Sequence, residues 1–270
     1  MSIIYINPFQ FGPGYDPDAQ DFIDRVIAAD VAAGNTSGLE VGVKDAINAF
    51  FVGCKSDGIF SALKASCILA GARTLSGALV PLVSTMPAPT NVGGNFVAGD
   101  YNRKTGLKGD GSTKYLDSNR NANADPQDDS HISVFVSADI ATSGQTYIGA
   151  ADPFNEAGGS SVGGNGAGAS VFSRNRTSNP TFFVVPLQVG LLGNSRSSPS
   201  SYSVRYNGTN GVANETSSTP NNRNVVIFGR VSTALTSSRL SFYSIGESLD
   251  LALLDARIAT LMSDLAAAIP

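Results

Sequence analysis

From residue 106 to residue 246 the chain carries one short alternating stretch after another, punctuated by Gly, Asn, Ser and Pro, and no helical period runs through it. Candidate strands fall at 112–116, 131–137, 145–149, 169–174, 181–185, 202–207, 212–215, 225–231 and 239–245. The alternation is clearest at 131–137, where Ile132, Val134 and Val136 share a face. Many short strands without helices between them predict an antiparallel β-sandwich or jelly roll. Gly109-Asp110-Gly111 is a turn signal ahead of the first strand, because glycine takes positive φ freely and Asp bonds its own backbone. Residues 207–211, NGTNG, predict a hairpin loop, and residues 157–168, AGGSSVGGNGAG, predict an exposed loop too rich in glycine to pack.

Both ends read as helix, so the fold class is mainly β with helical ends. Asp16 is a good N-cap with Pro17 at the first helical position, and Ala19, Phe22, Ile23, Val26 and Ile27 then recur at helical spacing. A second helix is predicted over 39–55, and a short third one follows Gly58 with Ile59, Phe60, Leu63 and Cys67 on its stripe. Ser248 is the expected cap of a last helix carrying Leu251, Leu254, Ile258, Leu261, Leu265 and Ile269. The organisation that follows is an extended arm at 1–15, a helical segment at 16–80, a Pro/Gly linker at 81–95, the sandwich at 96–246, and a helix at 247–270 packing back on the domain. In the arm, Tyr5, Phe9, Phe11 and Tyr15 need a surface to cover them: their own domain, or a neighbouring subunit for which they are assembly residues.

Only 15% of the 270 residues are charged, so the surface is built largely from Ser, Asn, Thr and Gly. A net charge of −4 with no Lys/Arg cluster argues against nucleic acid and anionic membranes as partners. The most apolar window, 65–83, is interrupted by Gly71, Arg73, Gly77 and Pro81 and reads as core rather than membrane span. The first residues carry no basic region and no cleavage site, so a soluble product made in a cytoplasm is expected. Cys54 and Cys67 fall in apolar stretches, read as helical, and are either buried thiols or a bridge between neighbouring helices.

Catalytic patterns are weak. Residues 159–163 match G-x-S-x-G, but in a glycine run with no helix after it. His131, the only histidine, begins a strand, which leaves neither a Ser-His-Asp triad nor a zinc site. The four glutamates, Glu40, Glu156, Glu215 and Glu247, offer no strand with two carboxylates on one face, which argues against a glycoside hydrolase. Asp125, Asp128 and Asp129 are either oxygen ligands for Ca²⁺ or a solvated acidic turn, and no cofactor is implied. A sugar site is better supplied: Arg174, Asn175, Arg176, Tyr202, Tyr206, Asn207 and Asn210 offer the rings and amides that carbohydrates need, unless these loops only solubilise the surface.

The phrase at 106–116, GLKGDGSTKYL, resembles the opening of the concanavalin-A-like, laminin-G-like sandwiches of bacteriophage virion proteins. Upstream, DPDAQDF at 16–22 and KSDGIFSALK at 55–64 look like the helical preface of that group, and SIGESL at 244–249 looks like its exit into a closing helix. The resemblance covers about residues 16–268. It implies a virion structural protein, made in the host cytoplasm and forming a homo-oligomer with other virion proteins as partners. Such a protein would act by binding a host-surface glycan or another virion protein, as a fibre, tail-tip or capsid-surface component. The alternative within the same setting is a decoration or cement protein with no receptor.

Overall fold

The computed structural model describes residues 14–138, 144–165, 170–184, 189–231 and 234–270. The helices are α1 (Pro17–Ala32), α2 (Val41–Ser56), α3 (Leu75–Ala78) and α4 (Leu251–Ala268). The strands, in chain order, are β1 (Leu63–Ile68), β2 (Thr90–Asn91), β3 (Tyr101–Asn102), β4 (Gly106–Lys108), β5 (Leu116–Asn121), β6 (Ser130–Ala138), β7 (Gln145–Ala150) and β8 (Gly159–Asn165). They continue with β9 (Ser170–Thr177), β10 (Thr181–Val184), β11 (Gly190–Arg196), β12 (Tyr202–Tyr206), β13 (Thr209–Ala213), β14 (Asn224–Ile227) and β15 (Arg239–Gly246). Two antiparallel sheets form a sandwich, as the strand pattern predicts. The first runs β13-β12-β11-β6-β15-β4-β3 with β1 also paired to β15, and the second runs β10-β9-β8-β7-β14-β5-β2.

Alternation sorts the side chains into two cores. Ala65, Cys67, Ile132, Val134, Val136, Leu192, Leu240, Tyr243 and Ile245 point inward from the first sheet and meet Tyr147, Ile148, Val162, Val171, Val225 and Ile227 of the second. The opposite face of the first sheet, with Ile68, Leu191 and Phe242, packs under α1, α2 and α4. Phe50 of α2 meets Phe242 edge-on at 5.8 Å, and α4 lays Leu254, Ile258, Leu261 and Leu265 into the same core. Arg257 of α4 pairs with Asp57 beyond α2 at 2.7 and 2.8 Å. Arg103, just after β3, makes a two-pronged bond to Glu40 ahead of α2 at 3.0 and 2.7 Å, and this pairing draws the Glu40 carboxyl down to about 2. The helices therefore form a third layer on the first sheet.

Several local expectations are corrected. The helix expected after Gly58 is a 3-10 turn at Phe60–Ala62 followed by β1, whose period of two is hidden because it is buried on both faces. Cys67 thus sits in a strand rather than a helix; both thiols are free and buried, and burial pushes each up to about 12. Residues 112–115 are turn rather than strand: Asp110 Oδ1 accepts from the backbone N–H of Ser112, Thr113 and Lys114. The glycine stretch expected as a loop contributes β8, and β11 arises where no alternating stretch marks a strand. The five-residue hairpin loop tightens to Asn207-Gly208, at φ 46° and 73°, as a two-residue turn requires. Asp250, not Ser248, caps α4 by accepting from Ala252 and Leu253 N–H. In the passage 81–95, Arg25 donates to the Pro81 and Leu82 carbonyls, Leu82 is buried, and Thr90–Asn91 pairs with β5.

Candidate functional site

The helices cover the first sheet; on the outer face of the second, the described residues form two clefts, and the floor of one is set by glycine. A Cβ at Gly163 of β8 would lie 2.2 Å from the ring of Phe172, so only glycine lets that ring, from neighbouring β9, lie down across the sheet. Phe154, from the turn after β7, stands edge-on to Phe172 at 5.2 Å, and Phe182 of β10 follows at 6.4 Å with half its surface exposed. The guanidiniums of Arg230 and Arg174 lie 5.1 and 5.4 Å from the centre of the Phe154 ring. Glu156 fixes the turn that carries Phe154, accepting from Asp152 N–H, Asn221 and Arg223. Desolvation raises the Glu156 carboxyl, but these bonds outweigh it and hold it below the usual carboxylate range.

The resulting cleft holds about 470 Å³, bounded by Gly144, Thr146, Phe154, Phe172, Phe182, Arg230 and Ala234. Its floor is polar where the rings are not. Thr146 Oγ1, and beside it on the same face of the sheet Ser161 Oγ and Arg174 Nη1, are buried without a hydrogen-bond partner among the described residues. Across the crest formed by Arg230 and Val231 lies a second cleft of about 370 Å³, bounded by Tyr115, Asp117, Asn222, Arg223, Asn224, Val226 and Val231. The crest is strained: Phe228, Val231 and Ala234 all have positive φ, and a β-branched residue there is a rare outlier.

The residues predicted for a sugar site are not brought together. Arg174, Asn175 and Arg176 are buried in β9, which removes all three from the accessible surface. Asn175 bonds Asn194 and Ser130 between the sheets, and Arg174 and Arg176 donate to backbone carbonyls while burial pulls each down to about 10. Tyr202 is also buried, its hydroxyl donating to the Ser173 carbonyl, and Tyr206 stacks on Phe183 at 5.0 Å. Asn207 and Asn210 are exposed on the β12–β13 hairpin, and Asn210 accepts from Arg205. Asn210 also borders a third cleft of about 510 Å³ between that hairpin and the start of α4. No aromatic ring lines it, its Asp250 is committed to capping α4, and Ser195 Oγ accepts from Leu249 N–H.

Tyr15 donates to Asp45 of α2 and packs on the helical core, so this arm residue lies on its own domain; Tyr5, Phe9 and Phe11 fall outside the described residues. The three aspartates considered for Ca²⁺ are used separately: Asp125 pairs with Arg120, Asp128 accepts from Ser217 and Asp129 from Ser248 N–H. Among the described residues no three His, Cys, Asp or Glu side chains gather as a metal site would need. Ser161 of the G-x-S-x-G match lies within β8, without the strand-to-helix elbow that motif requires.

No protein-family model and no curated protein sequence matches the chain. Among solved structures it is similar to Trypanosoma rangeli sialidase, both in complex with 2,3-difluorosialic acid (TM-score 0.52, 10% identity, 82% of this chain and 39% of that one) and in complex with sialic acid (TM-score 0.50, 9% identity, 81% and 38%). It is also similar to the botulinum neurotoxin serotype D binding domain (TM-score 0.49, 12% identity, 74% and 51%). The chain thus spans about two-fifths of the sialidase and half of the toxin domain. At 10% identity what this chain shares with the sialidase is the fold, an antiparallel β-sandwich.

Proposed function

We propose that the chain is a non-catalytic glycan-binding module carried on a bacteriophage particle, as a fibre, tail-tip or capsid-surface component. The observation that carries the binding reading is the cleft of Phe154, Phe172 and Phe182 with Arg230 at its edge, on the outer face of the second sheet. Aromatic faces stack on the apolar faces of sugar rings, and the Arg230 guanidinium at the edge favours a sugar bearing a carboxylate. The described lining holds no carboxylate to act as acid or nucleophile on a glycosidic bond, which favours binding over cleavage. Support for the particle setting is the resemblance at 16–22, 55–64, 106–116 and 244–249.

A printed array of bacterial envelope polysaccharides tests the reading. The protein should bind acidic members, and Phe182→Ala, at a half-exposed position, should weaken that binding about tenfold, for loss of a stacked ring, while leaving the thermal transition in place. No binding across the array, or binding indifferent to Phe182→Ala, overturns it. The second reading, a decoration protein with no receptor, draws on β10 being the last strand of its sheet among the described residues, with Val184 85% exposed. Hundreds of copies over the shell would favour decoration; a few at the tail or vertices would favour a fibre.

A further inference from the structure

The second cleft is built differently from the first, and consecutive residues border the two: Arg230 lines one and Val231 the other. Where the first cleft offers rings and positive charge, the second offers one ring, Tyr115, and a set of hydrogen-bonding groups, Asp117, Asn222, Arg223 and Asn224. Asp117 accepts from Asn119 N–H at 2.8 Å and from Asn224 Nδ2 at 3.2 Å, both neutral donors. A carboxylate has about four acceptor positions, so Asp117 retains capacity for the hydroxyl pair of a sugar ring, with Tyr115 beside it for stacking. Arg223 is held in place from behind, its Nε on Glu156 and its Nη2 on the Asp152 carbonyl, the same turn that carries Phe154. One anchored loop therefore sets the geometry of both clefts.

The clefts lie on different strands of one sheet, Asp117 in the register row of Arg174, two residues along β9 from Phe172. Phe172 on β9 and Asp117 on β5 are separated along the order β9-β8-β7-β14-β5 by four strand steps, roughly 19 Å at about 4.8 Å per step. That span exceeds one sugar ring and fits several linked ones. We infer that the two clefts are subsites for one extended acidic oligosaccharide, its carboxylate-bearing residue at Phe154, Phe182 and Arg230 and a hydroxyl-rich residue at Tyr115, Asp117 and Asn224. This rests on the glycan-binding reading above and adds to it that the ligand is a chain lying across the sheet rather than a terminal single sugar.

The experiment is titration calorimetry with two graded sets of fragments, oligouronates from alginate and oligomers of polysialic acid, each from the monosaccharide to the hexasaccharide. For the wild-type protein, affinity should climb with length in at least one set and then level off once both clefts are filled. Asp117→Asn, which keeps size and the bond to Asn119, should cost the longest fragments about tenfold and the monosaccharide nothing. Tyr115→Ala should do the same, and a thermal scan of each variant excludes loss of fold as the cause. Phe182→Ala should weaken every length. Affinity independent of length, or Asp117→Asn without effect on long fragments while Phe182→Ala still weakens them, overturns the two-subsite inference and leaves the glycan-binding reading standing. No binding of either set by the wild-type protein overturns the acidic-chain inference; the polysaccharide array then decides the broader reading separately.

Discussion

Glycine inside a strand ordinarily weakens it, yet at Gly163 the missing side chain makes room for Phe172 to lie flat and so shapes the cleft. Because a Cβ there would also strike the Gln145 carbonyl of β7, Gly163→Val should displace the ring and the strand together, lower stability by at least the ~1–3 kcal/mol of overpacking, and weaken polysaccharide binding. Urea titration with the same array checks both effects. His131 makes a different kind of demand. Its Nδ1 is 2.5 Å from the Glu247 carbonyl, which only accepts, so the proton is on Nδ1 and Nε2 accepts from Ser244 Oγ at 2.9 Å. Burial lowers this imidazole from 6.5 to about 4. The unfolded chain therefore takes up the proton first. The stabilising contribution is complete above pH 6.5 and is lost as pH falls toward 4, by up to about 1.4 kcal/mol per pH unit. Urea midpoints between pH 7 and pH 4 should show that slope, and His131→Gln should flatten it; equal slopes would refute the assignment. Arg174, Asn175 and Arg176 could not be placed from sequence, because such residues are mostly exposed and nothing local marks a strand in which they close a polar network.

At the scale of elements, legibility followed periodicity. The stripes of α1, α2 and α4 are amphipathic because each covers one face only, and they were readable; β1 is buried on both faces and reads as a featureless apolar run. The second cleft's Tyr115 and Asp117 share one segment, but Asn224 joins them from 107 residues further along the chain, and no local spacing unites the set. β8 was hidden by its glycines, the same residues that shape the cleft floor. For α4 the expectation is specific. Leu261 is 1% exposed within the helical core, so Leu261→Ala should cost about 2–5 kcal/mol in a urea or thermal titration, and an unchanged midpoint would show that α4 lies outside the cooperative unit. Asp250→Ala removes the side-chain acceptor of two N–H groups and should cost about 1 kcal/mol.

Across the whole molecule, the helices form a third layer that covers one sheet of the sandwich and not the other. The covered sheet is organised on β15, which pairs with β6 on one side and with β4 and β1 on the other. Ser66 of β1 donates to the Tyr243 carbonyl of β15 across 177 residues of chain. A chain ending at residue 238 should accordingly give no cooperative unfolding transition, and the full chain should refold in milliseconds to seconds or slower, as non-local sheets do; a cooperative transition in the shortened chain would show that β15 is dispensable. At about 5–20 residues per second, a ribosome needs roughly 9–35 s to travel from β1 to its partner. For that interval β1 lacks the neighbour it pairs with, and Phe50 of α2 has no Phe242 to rest on. Synthesis thus runs against dependence: the helices made first have no finished surface to cover until the strand made last has emerged.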